Sequence, residues 1–196
     1  MTLKVLQFGA TGQMARELIA RGPRRGVQLT ALSREQADLT DPAAIARVVE
    51  QADAHLVINA AAYTAVDRAE TERDTAFLVN AESPAAMARV CAARGLPLVN
   101  VSTDYVFNGS GSRAWREDDA TAPVNAYGDS KLAGELAVAA SNARAITLRT
   151  SWVFSAHGAN FVKTMLRLAD RPEVKVVDDQ IGRPTFAGDL AEAALT

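Results

Sequence analysis

Short apolar runs alternate with longer stretches of helical periodicity along this chain. That alternation limits the available folds more than any other feature. Leu3–Phe8, Val27–Leu32, His55–Asn59, Leu98–Val101 and Ala145–Val153 read as strands, with a short sixth at Val174–Val177. Gln13–Arg21 reads as a helix. A second helix is capped by Asp41, carries Pro42 at its first position and runs to about Gln51. Helical pattern continues from about Ala65 to Ala93, with a break near Asn80, until Gly95 and Pro97 end it. A last helix starts at Asp189. Strands separated by helices of this length predict an α/β fold, a doubly wound parallel sheet with right-handed crossovers. Asn108–Val124 holds Gly109, Gly111, Pro123 and mixed charges, and reads as a long loop of the kind that often carries function.

The 196 residues are 48% apolar with a formal charge of -2, which fits one soluble domain with a substantial core. So balanced a charge offers no electrostatic case for nucleic acid. The single cysteine, Cys91, rules out an internal disulfide and suits a reducing, cytoplasmic compartment. No apolar stretch approaches the ~20 residues of a membrane span, so no membrane partner is expected. His55 and His157 stand far apart with no Cys or His cluster around them, so no metal site is predicted. The chain stops within the helical pattern Leu190–Leu195 without a C-terminal cap, which reads as a truncation.

Gly9-Ala10-Thr11-Gly12-Gln13-Met14-Ala15 lies between the first strand and its helix. Glycine at 9 and 12 allows a tight turn and lets a pyrophosphate approach the backbone. The helix start then offers free N–H groups and a positive dipole end. Small Ala15 lets the helix lie close to the sheet. Alone the pattern is weak; its place after the first strand of an alternating chain strengthens it. The second strand ends Leu32-Ser33-Arg34. An acid there would bind the adenosine ribose and repel a 2′-phosphate, whereas Arg34 can pair with that phosphate and favours NADPH. Asp38 and Leu39 follow within reach of the adenine edge. Ala60, Ala61 and Ala62, ahead of Tyr63 and Thr64, leave room for a cofactor crossing the sheet edge.

Ligands of open parallel sheets bind beyond the carboxyl ends of the strands. Four marked segments fall at such ends: Gly9–Met14, Ala60–Thr64, Ser102-Thr103-Asp104 and Thr150-Ser151-Trp152. Tyr127 and Lys131 lie i, i+4 on one helix face. A free phenol titrates near pH 10, and the Lys131 ammonium is expected to bring Tyr127 down toward neutrality while binding a ribose hydroxyl. Thr103 is placed to hold a substrate oxygen. Together these groups suit a reduction in which a hydride goes to a carbonyl carbon and Tyr127 protonates its oxygen. Trp152 is a candidate for substrate contact.

These residues resemble the extended short-chain dehydrogenase/reductases, and within them the reductases of dTDP-linked 4-keto-6-deoxyhexoses. The resemblance rests on Phe8–Gln13, Asn59–Asp67, Val101–Gly109, Tyr127–Lys131, Arg149–Phe154 and Asp179–Thr185, and it covers the whole chain. It implies a Rossmann-type NAD(P)-binding fold and reduction of the sugar's 4-keto group to give dTDP-L-rhamnose with NADPH or NADH. It assigns Thr103, Tyr127 and Lys131 to catalysis, with Asp104 and Trp152 on the sugar. Thr11-Gly12-Gln13, Asp38-Leu39 and Ala62-Tyr63-Thr64 are assigned to the cofactor. It also implies a C-terminal substrate domain that is largely missing here, and a homodimer at full length. Magnesium is described for some relatives but has no evident ligands in these residues. Two alternatives stay open: a nucleotide-sugar epimerase or dehydratase, and a non-catalytic regulatory relative on the same scaffold. Asp104-Tyr105 after Thr103, in place of an Asp-Glu pair, argues against the dehydratase.

Overall fold

The computed structural model describes residues 2–196. Five strands form one parallel sheet in the order β2-β1-β3-β4-β5: β1 (Leu3–Phe8), β2 (Val27–Leu32), β3 (Leu56–Asn59), β4 (Leu98–Thr103) and β5 (Ala145–Thr150). Between them come α1 (Gln13–Arg21), α2 (Pro42–Gln51), the short α3 (Val66–Ala69) and α4 (Arg73–Phe77), α5 (Ser83–Arg94) and α6 (Ala126–Ala140). Successive strand residues face opposite sides, so the strands split their apolar residues between two cores. Leu6, Val57 and Leu98 pack with Ile45, Val49, Met87 and Val138 on one face. Val5, Ile58 and Val99 pack with Met14 and Leu18 of α1 and with α8 (Ala187–Ala194) on the other. The result is the three-layer, doubly wound arrangement that the alternation predicts.

Helix ends follow local chemistry. The Asp41 carboxylate accepts from Ala44 N (2.9 Å) and Pro42 occupies the first turn of α2. Gly95 ends α5 in the left-handed conformation. The expected break near Asn80 is a π-helical turn, Leu78–Glu82, between α4 and α5. Gly134 of α6 packs on that turn: a Cβ there would lie 2.1 Å from Asn80 O, so only glycine permits the approach.

Three sequence expectations are corrected. Val174–Val177 forms no strand: Val174, Val176 and Val177 are exposed and pair with nothing in the sheet. A run of β-branched residues becomes a strand only beside a partner with free backbone groups. The fifth strand ends at Thr150, because Trp152 adopts a left-handed φ of 47°. The chain then starts β6 (Val153–Phe154), which pairs with β7 (Thr185–Phe186) in a separate two-stranded sheet, with α7 (Phe161–Arg167) between them. The last helix begins at Ala187 rather than Asp189.

The loop 108–124 is pinned at its base. Trp115 stacks on Phe107 (4.6 Å, 2° between planes). Arg149 donates to the Glu135 carboxylate (2.7 Å) and to Glu117 O (3.1 Å), with its guanidinium over Phe107.

Candidate active site

In the order β2-β1-β3 the chain runs outward from β1 and then returns to its other side. That reversal opens a crevice at the carboxyl ends of β1 and β3. A cleft of about 730 Å³ lies there. Its walls include Gly9, Thr11, Gly12, Gln13, Met14, Arg34, Asp38, Leu39, Ala60–Thr64, Tyr127 and Lys131. A smaller cleft of about 400 Å³, lined from Lys4, Gln28 and Asp53 near the strand starts, holds none of these groups.

The two glycines of the turn serve different ends. Gly9 has φ +94°, and a Cβ there would stand 3.1 Å from Ala60 O and 3.2 Å from Ala61 Cβ. The fold itself therefore demands glycine at that position. Gly12 has φ -65° and ψ 161°, which any residue adopts, and an added Cβ would meet only Ala60 O, at 3.8 Å. Nothing in the chain requires glycine there, whereas a phosphate against the backbone would. The start of α1 also has no acidic residue in its first turn and no side-chain cap, whereas Asp41, Asn125 and Asn160 cap α2, α6 and α7. Open N–H groups at a positive dipole end, beside a glycine the fold does not need, fit a dinucleotide pyrophosphate.

Arg34 Nε donates to Asp38 Oδ2 (3.2 Å), and Asp38 Oδ1 accepts from Thr40 N (3.0 Å). The Thr40 amide, aided by Arg34, holds the Asp38 carboxyl below its ordinary range. Leu39 is buried, and its carbonyl accepts from Ser83 Oγ. Gln13 is engaged within the chain: Nε2 donates to Val153 O (3.0 Å), and Oε1 accepts from Asn160 Nδ2 (2.8 Å) and Ser155 Oγ (3.2 Å). What Gln13 offers a ligand is therefore its backbone. Tyr63 donates its hydroxyl to Glu72 Oε2 (2.7 Å), and its backbone is held at both ends by Asn80. Asn80 Nδ2 also donates to Ser130 Oγ on α6 (3.0 Å). Asn80 thus joins the cofactor-side loop to the helix that carries Tyr127. Its only sequence signal was the break in helical pattern.

Asn125 caps α6 by accepting from Gly128 N (2.7 Å), which sets Tyr127 and Lys131 in the first turns, both buried. Lys131 Nζ donates to Val101 O (2.6 Å), and burial pushes its pKa down to about 8. The Tyr127 phenol moves opposite to the sequence expectation. Burial raises its pKa, the neighbouring Thr103 hydroxyl opposes this, and the Asp104 charge adds to the rise. Desolvation of the anion dominates, and the Lys131 ammonium is engaged by the Val101 carbonyl. Thr103 closes β4, its Oγ1 donating to Asp104 Oδ1 (3.2 Å) and accepting from Tyr105 N (3.2 Å). Burial pushes the Asp104 carboxyl up. Thr103, Asp104 and Trp152 are not part of the cleft wall. Trp152 is half-exposed, its indole covering Gly182, where a Cβ would lie 2.7 Å from the ring. Among the described residues no three His, Cys, Asp or Glu side chains converge to hold a metal, and no helix is long and apolar enough to cross a membrane.

A family model described as the RmlD substrate binding domain matches residues 3–196. The chain is 49% identical over 191 residues to a dTDP-4-dehydrorhamnose reductase of Burkholderia thailandensis, covering 97% of this chain and 64% of that protein. It is 44% identical over 195 residues to one of Escherichia coli, covering 97% of this chain and 65% of that protein. The chain therefore spans a little under two thirds of the length of these relatives. Among solved structures, a dTDP-4-dehydrorhamnose reductase from Bacillus anthracis in complex with NADP superposes with a TM-score of 0.93 at 39% identity, over 98% of this chain and 69% of that one.

Proposed function

The chain belongs to the RmlD substrate binding domain family, and from that premise we propose that it reduces the 4-keto group of dTDP-4-dehydrorhamnose to dTDP-L-rhamnose. The observation that carries this reading is one cleft whose wall holds both an uncapped glycine helix start and the buried pair Tyr127 and Lys131. The names of the relatives support the same substrate.

Gly9–Met14 would hold the pyrophosphate of the cofactor, and Asp38, Leu39 and Ala60–Thr64 its adenosine side. Arg34, in the cleft wall, would pair with a 2′-phosphate and so favour NADPH over NADH. The bound reduced nicotinamide supplies the hydride that goes to the carbonyl carbon. Tyr127 gives its phenolic proton to the carbonyl oxygen, and its raised pKa keeps that proton available at neutral pH. Lys131, largely protonated at pH 7, steadies the phenolate until solvent returns the proton. Thr103 holds the carbonyl oxygen, while Asp104 and Trp152 border the sugar. A cytoplasmic location goes with this reading.

Tyr127→Phe tests it. Turnover of dTDP-4-dehydrorhamnose, followed by loss of reduced nicotinamide absorbance, is expected to fall by about 10²–10⁴-fold. Calorimetric NADPH affinity is expected to stay near the parent value. Undiminished turnover would remove Tyr127 from the chemistry.

A further inference from the structure

Gln7 is a buried amide in a strand that is otherwise apolar from Val5 to Phe8. It shares a strand face with Val5, on the side packed by α1. Its Nε2 donates to two carbonyls, Gly9 O at 2.7 Å and Ala15 O at 3.2 Å. Both partners are acceptors, so the NH₂ end must face them. The Oε1 end then lies buried with no partner at all. An unpaired buried acceptor costs stability that an apolar side chain of the same length would avoid.

The two bonds bracket the segment that matters. Gly9 opens the turn, held on its other side by Gly9 N donating to Leu32 O (3.0 Å). Ala15 lies in the first turn of α1. One amide therefore ties the two ends of Gly9–Ala15 together from below and sets how the backbone N–H groups around Gly12 face the cleft. Resting on the nicotinamide-dependent reading above, we infer that Gln7 is a positioning residue for the dinucleotide pyrophosphate, acting through the shape of the Gly9–Ala15 turn. It is fully buried and lies outside the cleft wall. Its effect falls on the part that NADPH and NADH share.

The test compares Gln7→Met, which keeps length and removes both donors, with Gln7→Glu, which keeps shape and, protonated at so buried a site, keeps a single donor. NADPH and NADH affinities are measured by calorimetry, amide hydrogen exchange of Gly9–Ala15 is measured in the free chain, and thermal midpoints are recorded beside them. Gln7→Met is expected to weaken both cofactors by about tenfold, or about 1.4 kcal/mol. It should also speed exchange across the turn, with a thermal midpoint near the parent's. Gln7→Glu is expected to weaken both less than Gln7→Met does, because burial keeps its carboxyl protonated and its one O–H can still donate to one of the two carbonyls. Parent-like affinities in Gln7→Met, whether or not its midpoint drops, would overturn the inference and leave the reductase reading standing. A parent chain that binds neither cofactor would overturn both.

Discussion

Gly12→Ala and Gly9→Ala separate a glycine kept for a ligand from a glycine kept for the fold. At Gly12 the backbone is ordinary and the nearest atom to a new Cβ is Ala60 O at 3.8 Å. The remaining effect on stability is the weaker N-cap preference of alanine, less than about 1 kcal/mol, so the midpoint drops by no more than roughly 2–4 °C. The same methyl stands where the phosphate must approach. Losing one charge-assisted backbone contact at about 1.5–3 kcal/mol weakens NADPH by roughly 10–100-fold. At Gly9 a φ of +94° combines with contacts of 3.1–3.2 Å. Strain of about 2 kcal/mol then lowers the midpoint by roughly 4–8 °C. Scanning calorimetry and NADPH titration on the two variants decide the matter. If Gly12→Ala binds NADPH as the parent does, this turn is not the pyrophosphate cradle. If it loses as much stability as Gly9→Ala, the division of roles between the glycines is wrong.

Two further predictions concern charge. Arg34→Ala is expected to weaken NADPH by about tenfold or more, with little change for NADH, because it removes the guanidinium and leaves the Asp38 carboxylate facing the 2′-phosphate. Its exposed ion pair contributes at most about 1 kcal/mol to stability, and equal losses for both cofactors would discard the 2′-phosphate role. Lys131 is charged in the unfolded chain up to pH 10.5 but only to about 8 when folded, so the unfolded state binds the extra proton between those values and stability rises with pH across that window. Lys131→Met is therefore expected to be more stable than the parent at pH 7, by up to about 3 kcal/mol, with the advantage shrinking from pH 8 to 10. Chemical denaturation at several pH values checks this, and an advantage that does not vary with pH would refute it.

Legibility from sequence tracked the range of the forces involved. β1, α1, β2 and α2 begin and end where periodicity and cap chemistry place them, because their limits depend on residues a few positions away: Asp41 and Pro42 at one start, the glycine turn at another. The i, i+4 spacing of Tyr127 and Lys131 likewise set them on one face of a helix before any coordinates. Gly9–Gly12, Arg34, Asp38 and Ala60–Thr64 are readable as neighbours along one cleft because the carboxyl ends of parallel strands share an edge.

Tertiary structure decided whatever depends on a distant partner. Val174–Val177 has strand composition but no neighbouring strand, and it stays exposed. The Tyr127 phenol sits beside Lys131 in sequence, yet burial sets the direction of its pKa. Gln13 carries a motif position, but its side chain is taken up by Val153, Ser155 and Asn160, which lie 140, 142 and 147 residues away. Gln7 and Asn80 look like stray polar residues until the carbonyls and hydroxyl they hold are in place. Local pattern determines which segments become strands, helices and turns, since those hydrogen bonds close within a few residues. The solvation and partners of a buried polar group are fixed only when the remote segments that surround it have packed.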